Sequence, residues 1–381
     1  MGIVPVGIRG ISARVLEWRA TWASDPVKRL RFLQRARASP ARDPGKFSLV
    51  AIAITLAGLA FLGLTWASAT LIQPATQPHF VAAAPASPKF DSIPGRVWQV
   101  EANDRFELYS NGLRVENQFL TNTQPRAYLS LSRVGMETRQ ARLRFDPAGI
   151  VFHTTESHMA PFEEDQNRTL RRAGEGLLEY VRRKHAYHFV IDRFGRIFRV
   201  VQEGDYANHA GHSVWADQTW VYLNLNQSFI GVAFEATSRP GDGSPVNAAQ
   251  VHAGRILVEM LRARYKIAAG NCVAHAQVSI NPFNRRAGYH TDWAANLPFH
   301  DLGLSDNYQR PLPSVVLFGF TADDELRSGG ALGPAIQAAE DLIEQDAAAR
   351  GMPLGRYREI LQRRYKDAIA SVGRQTNVKY Q

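Results

Sequence analysis

The chain has 381 residues, 45% of them hydrophobic and 10% aromatic, which is enough for a sizeable core in one large domain with additions or in two, and excludes global disorder. Its net charge of +10 is unevenly placed: residues 1–47 hold ten Lys/Arg against three Asp/Glu, residues 48–72 hold none, and the remainder carries 35 basic and 32 acidic groups. A nucleic-acid-binding protein would carry its basic excess on the folded part, so no nucleic-acid partner is expected.

Leu49–Ile72 is a run of 24 residues without a charge. As a helix it reaches about 36 Å, enough to cross a hydrocarbon core about 30 Å thick. The apolar region of a cleaved signal peptide is shorter, about 7–15 residues. Lys28, Arg29, Arg31, Arg35, Arg37, Arg42 and Lys46 all precede the run, which by the positive-inside rule puts the N-terminus in the cytoplasm. The expectation is a basic cytoplasmic segment (1–47) and a single-pass signal anchor (48–72) in the cytoplasmic (inner) membrane. Everything after it would be periplasmic or otherwise extracytoplasmic. Residues 73–90, rich in Pro and Ala, read as an extended tether. Residues 91–145 read as a small β-rich segment with strands at Arg96–Glu101 and Arg105–Tyr109 and a hairpin turn at Asn111-Gly112. It forms either a subdomain or an N-terminal extension of the main sheet.

From Ile150 strands alternate with helices. A strand carries His153, and a helix follows from about Glu164 to Lys184 with Leu170, Ala173, Leu177, Leu178 and Val181 on one face. Strands at Tyr187–Asp192 and Arg196–Val201 come next. A long loop precedes a buried strand, Phe229–Phe234, and a second amphipathic helix spans about Ala248–Tyr265. The fold class expected for 146–310 is α/β, a mixed central sheet flanked by helices. Residues 311–381 form a helical C-terminal extension, with Ala331–Val372 broken around Gly351-Met352-Pro353. The single cysteine, Cys272, excludes an internal disulfide and suits a small buried apolar position.

Three distant residues sit where a metal ligand could: His153 ends Gly149-Ile150-Val151-Phe152, His275 follows Cys272-Val273-Ala274, and Asp292 ends Gly288-Tyr289-His290-Thr291. Two imidazoles and a carboxylate leave a fourth position on Zn²⁺ open for water, as a hydrolase requires. His290, two residues from Asp292, would share its side in an extended segment and is either a competing ligand or an acid beside the metal.

The order Ile150–Thr155, Tyr187-His188-Phe189-Val190-Ile191, Asp192–Phe198, His209-Ala210-Gly211, Ser228-Phe229-Ile230-Gly231-Val232 and His275 to Asp292 resembles the zinc-dependent N-acetylmuramoyl-L-alanine amidases of the type 2 amidase and peptidoglycan recognition protein superfamily. The resemblance covers about 146–305. It implies a zinc ion held by His153, His275 and Asp292, with Tyr187 and His290 as catalytic residues and His188 and His209 behind the ligands or along the cleft. The implied substrate is peptidoglycan, cut between N-acetylmuramic acid and L-alanine; the alternative is a non-catalytic peptidoglycan-binding module of the same fold. Two departures stand out. About seven extra residues separate His275 from Asp292, so Asn281–Gly288 must bulge outward. The strand position that carries a catalytic glutamate in some members is Ala233, and Glu235 reads as structural. A serine hydrolase finds little support, because Gly211-His212-Ser213-Val214-Trp215 lacks the second glycine of a nucleophile elbow.

Overall fold

A computed structural model describes residues 90–133, 141–157, 159–238, 245–328 and 330–376. The expected membrane span at 48–72, with the segments on either side of it up to residue 89, lies outside the described residues. Among those described, no helix is long and apolar enough to cross a membrane.

Twelve strands form two sheets among the described residues: β1 (Gln99–Ala102), β2 (Phe106–Tyr109), β3 (Arg114–Glu116), β4 (Tyr128–Ser132), β5 (Arg142–Arg144), β6 (Gly149–Thr154), β7 (Phe189–Ile191), β8 (Ile197–Arg199), β9 (Val214–Ala216), β10 (Trp220–Leu223), β11 (Phe229–Phe234) and β12 (Cys272–Ala274). The larger sheet runs β1-β2-β3-β8-β7-β11-β6-β12. Next to its β12 edge, β6 pairs in parallel with β11 along six residues and with β12 on its other side. Both β6 and β11 are buried throughout, which accounts for their near-continuous apolar sequence.

Alternation along these strands assigns their two faces. Ile150, Phe152, Ile230, Val232, Phe234, Phe189 and Ile191 pack into the main core with Leu257, Val258 and Leu261 of the long helix α2 (Ala248–Tyr265). That helix begins at a reciprocal capping box between Asn247 and Gln250, which satisfies two otherwise unpaired amides. On the opposite face, Val190, Phe198 and Ala233 meet Leu178 and Val181 of helix α1 (Asn167–Lys184). Arg182, Arg183 and Lys184 occupy the last turn of α1, where the helix dipole favours positive charge.

One feature departs from the sequence reading and another decides between its alternatives. The stretch between Val201 and Phe229 is no simple loop: it holds β9 and β10, which with β4 and β5 make a four-stranded antiparallel sheet ordered β5-β4-β10-β9. Its residues Tyr128, Trp215 and Tyr222 pack against Val151, Phe229 and Val273 of the larger sheet. Strands of three or four residues give too brief an alternation to stand out in sequence. Of the N-terminal β-rich stretch, β1–β3 extend the main sheet, since β3 pairs in parallel with β8, while β4 and β5 belong to the second sheet. Helices α3 (Gly333–Ala349) and α4 (Leu354–Thr376) form the C-terminal extension, and Ala368 and Val372 of α4 pack on Leu129, Leu131 and Phe320.

Arg199 on β8 ties the added hairpin down. Its guanidinium, 1% exposed, lies 2.8 Å from the Glu107 carboxylate of β2 and 3.1 Å from that of Glu203. Replacing it with an apolar side chain would leave both carboxylates without their shared ion-pair partner. Arg199→Met is therefore expected to lower the unfolding free energy by about 3–5 kcal/mol in urea titrations; a loss under about 1 kcal/mol would contradict this role.

Candidate metal centre

The parallel pairing of β6 with β12 sets the geometry. Ala274 lies opposite Phe152, so His153, the next residue on β6, and His275, the first residue after β12, come level at the C-terminal end of these strands. Crevices at this edge are where open α/β sheets hold ligands. Asp292 arrives from a later loop, and the ligand atoms of His153, His275 and Asp292 fall within 4.8 Å of one another. Nδ1 of His275 is 2.7 Å from Asp292 Oδ1, and Nδ1 of His153 is 3.3 Å from Oδ2. All three side chains are buried.

The hydrogen bonds behind this cluster fix which nitrogen faces it. His209 Nε2 lies 3.3 Å from the carbonyl oxygen of Phe229, which only accepts, so the proton belongs on Nε2. Burial, then the neighbouring His153, holds the His209 imidazole well below the usual histidine range, so its Nδ1 is a bare acceptor. His153 Nε2, 3.1 Å away, must then donate to it. Burial and the nearby His275 push the His153 pKa down to about 4, against the pull of Asp292. A neutral His153 with its proton on Nε2 turns an unprotonated Nδ1 toward a carboxylate oxygen. Two lone pairs facing each other in a buried site call for a cation between them. Burial alone would raise the Asp292 carboxyl, but the imidazoles of His275 and His153 outweigh it and hold the group well below the ordinary carboxylate range. The remaining nitrogen of His275, Nε2, is buried without a hydrogen-bond partner. The donor set and its protonation therefore fit Zn²⁺.

The sequence motifs around His209 have physical reasons. Asn226 Oδ1 accepts from the backbone amides of His209, Ala210 and Gly211, at 2.8, 2.6 and 3.2 Å, and so fixes the His-Ala-Gly loop. Gly231 lies under the His209 ring, and a Cβ there would stand 2.5 Å from His209 Cγ. His188 is fully buried: its Nδ1 accepts from the Gly231 amide at 2.9 Å, and its ring meets that of His209 edge-on at 5.6 Å. His188 thus supports His209 from behind and does not line an open cleft. Beside it the buried Arg126 donates to the carbonyls of Glu203, Gln227, Phe229 and Asp205. Sequence reading missed both Asn226 and Arg126. Neither belongs to a motif, and an Arg satisfied by backbone carbonyls has no acidic partner to announce it.

Around the ligands, Tyr187 takes a left-handed backbone with φ of 59°, and its ring centroid is 5.0 Å from that of His153. Burial first, then the charges of Asp292 and Glu156, raises its phenol well above the ordinary value, so it stays a hydrogen-bond donor. The strand expected over Tyr187–Asp192 is confined to Phe189–Ile191, because this left-handed residue interrupts the extended chain. His290 stacks on His275, with centroids 4.8 Å apart and planes 20° apart. Burial and the His275 charge lower its pKa, with Asp292 opposing.

The segment leading to Asp292 is not the extended run expected from sequence. Gly288 at φ 90° and Trp293 at φ 58° bend it at both ends, and Ser279 clasps its middle through mutual bonds with His290, each 3.1 Å. The face shared by His290 and Asp292 therefore comes from this clasp and from ring stacking. The extra residues before it form a projecting loop closed by the Ile280–Ala287 bridge, with Phe283 90% exposed at its tip. Ala233 is buried opposite His153, so that position carries no acid, while Glu235 accepts from the Arg193 amide. Ser213 is buried with its hydroxyl bonded to Gly211 O and to the Leu225 amide.

Comparison with known proteins bears on this arrangement. Among solved structures, the chain is similar to the N-acetylmuramoyl-L-alanine amidase LysC from Clostridium intestinale URNW, at 21% identity over 42% of this chain and 83% of that one, with a TM-score of 0.26. It is also similar to the N-acetylmuramyl-L-alanine amidase AmiD from E. coli, solved with anhydro-N-acetylmuramic acid-L-Ala-D-gamma-Glu-L-Lys, at 21% identity over 57% and 97% of the two chains, with a TM-score of 0.33. A third is AmpDh3 from Pseudomonas aeruginosa, at 21% identity over 54% and 68%, with a TM-score of 0.31. No curated protein sequence matches the chain. The family model described as N-acetylmuramoyl-L-alanine amidase matches residues 143–292, a span that starts just before β6 and ends on Asp292. His153, His275 and Asp292 all lie within this matched segment.

Proposed function

We propose that the chain is a membrane-anchored zinc hydrolase that cleaves the amide bond between N-acetylmuramic acid and L-alanine in peptidoglycan, outside the cytoplasmic membrane. The observation that carries the zinc reading is the convergence of His153 Nδ1 and His275 Nδ1 on the Asp292 carboxylate, with His153 Nε2 turned to His209. The family match over 143–292 supplies the substrate class. The anchor rests on the uncharged stretch Leu49–Ile72 and its basic flank.

Bound zinc lowers the pKa of a water molecule to about 7 and polarises a carbonyl oxygen. The chain's own residues do the rest. His209 holds the His153 ring in one tautomer and orientation. Tyr187, kept protonated, donates a hydrogen bond to the oxygen of the lactyl carbonyl as negative charge grows on it. His290, neutral and stacked over His275, would take up the proton that the attacking water releases and pass it to the nitrogen of L-alanine as the amide bond breaks. Because Ala233 leaves no carboxylate on the strand, these two side chains share the assisting work.

Three variants of the full-length chain test these roles by zinc content and by mass spectrometry of muropeptides released from sacculi. His153→Ala is expected to lose both metal and hydrolysis; normal turnover would refute the assignment. His290→Ala should keep its zinc and Asp292→Ala should not, and the reverse pattern would make His290 the third ligand. Tyr187→Phe should retain the metal and turn over about 100-fold more slowly, the usual cost of one lost oxyanion donor. An unchanged rate there would remove Tyr187 from the mechanism.

A further inference from the structure

The third ligand sits on an irregular segment, yet its carboxylate must hold position to a few tenths of an ångström. The peptide group joining Asp292 to Trp293 is pinned at both of its polar atoms. Its carbonyl oxygen accepts from the amide of Ala276, the residue after His275, at 3.1 Å. Its N–H donates to the hydroxyl of Ser238 at 3.0 Å. The first contact ties the carboxylate to the helical turn that begins at His275. The second leads to the strand of the other imidazole ligand.

Ser238 follows β11 and is gripped by Glu156, which follows β6. One carboxylate oxygen of Glu156 accepts from the Ser238 amide at 2.8 Å, from the Ser238 hydroxyl at 3.3 Å and from the Thr154 hydroxyl at 2.5 Å. Thr154 is the neighbour of His153. Glu156 holds this pose from a left-handed backbone with φ of 48°, which costs a non-glycine residue on the order of 1 kcal/mol, and its own amide is bonded to Ala236 O at 3.0 Å. Trp293, also left-handed, is fixed further by its ring on Phe234 and by the Tyr308 hydroxyl on its carbonyl.

We infer that Glu156 and Ser238 are positioning residues: through the Asp292–Trp293 peptide they set the distance between the Asp292 carboxylate and the His153 imidazole, and so the affinity for the metal. Glu156 acts as a hydrogen-bond acceptor, and its charge is not what the role requires. This rests on the reading of the cluster as a zinc centre.

The test is zinc affinity of the full-length protein, measured by competition with a chromogenic chelator, beside the thermal melt of the metal-free form. Glu156→Gly removes the carboxylate at a backbone conformation glycine prefers, so the fold should tolerate it. Both Glu156→Gly and Ser238→Ala should weaken zinc binding about tenfold, the lower end of what partners behind metal ligands contribute, with little change in the apo melt. Glu156→Gln, which can still accept from Ser238 and Thr154, should bind zinc within about twofold of the wild type. Wild-type affinity in the glycine and alanine variants would overturn the inference, as would an equal loss in the glutamine variant. His153→Ala separates the two levels. If it loses zinc while Glu156→Gly does not, only the clamp fails; if the wild type binds none, the centre itself fails.

Discussion

One contact organises this molecule: two imidazole nitrogens turned toward a single buried carboxylate, one of them on a ring whose other nitrogen faces His209. Left alone, lone pair against lone pair in a site shielded from water is destabilising. The chain nevertheless commits several elements to holding it. The Phe229 carbonyl sets the tautomer of His209, His209 sets that of His153, and Asn226 and Gly231 hold the His209 loop where its ring can reach. The structure spent on aiming two imidazole nitrogens at one acid suits a site that could hold a cation.

The sheet makes the arrangement rigid. Parallel pairing of β6 with β12 brings His153 and His275 level without any loop having to find its place, and the six-residue pairing with β11 buries the carrier strand on both sides. The carboxylate enters differently, on a bent segment with left-handed residues at its ends. Its precision comes from side-chain clasps, of Ser279 on His290 and of Ser238 on Trp293. Regular structure positions two ligands and local polar contacts position the third.

Those two modes of support explain what was legible in the sequence. His153 and His275 announced themselves because each terminates a short apolar run, and strand ends are where such runs stop. The long helices were readable to the residue at Ala248–Tyr265, since 18 residues of amphipathic pattern exceed any local noise. The second sheet was not, because strands as short as Val214–Ala216 and Arg142–Arg144 show too few alternations, and their pairing partners lie far away in the chain. Asp292 could be named from the motif, but its surroundings could not. The extended run expected at Gly288–Asp292 gives way to turns, because the hydrogen bonds that a neighbouring strand would have offered come from the Ser279 side chain. Asn226 and Arg126 share this illegibility, since each reaches backbone groups that carry no sequence signature, and Glu156 reaches a serine far away in the chain.

The most direct measurement is zinc-edge X-ray absorption on the full-length protein loaded with one equivalent of metal. Two imidazoles and a carboxylate predict a nitrogen and oxygen shell at about 2.0–2.1 Å with the outer scattering of two imidazole rings. A sulfur shell at about 2.3 Å, or the absence of imidazole scattering, would contradict the centre described here.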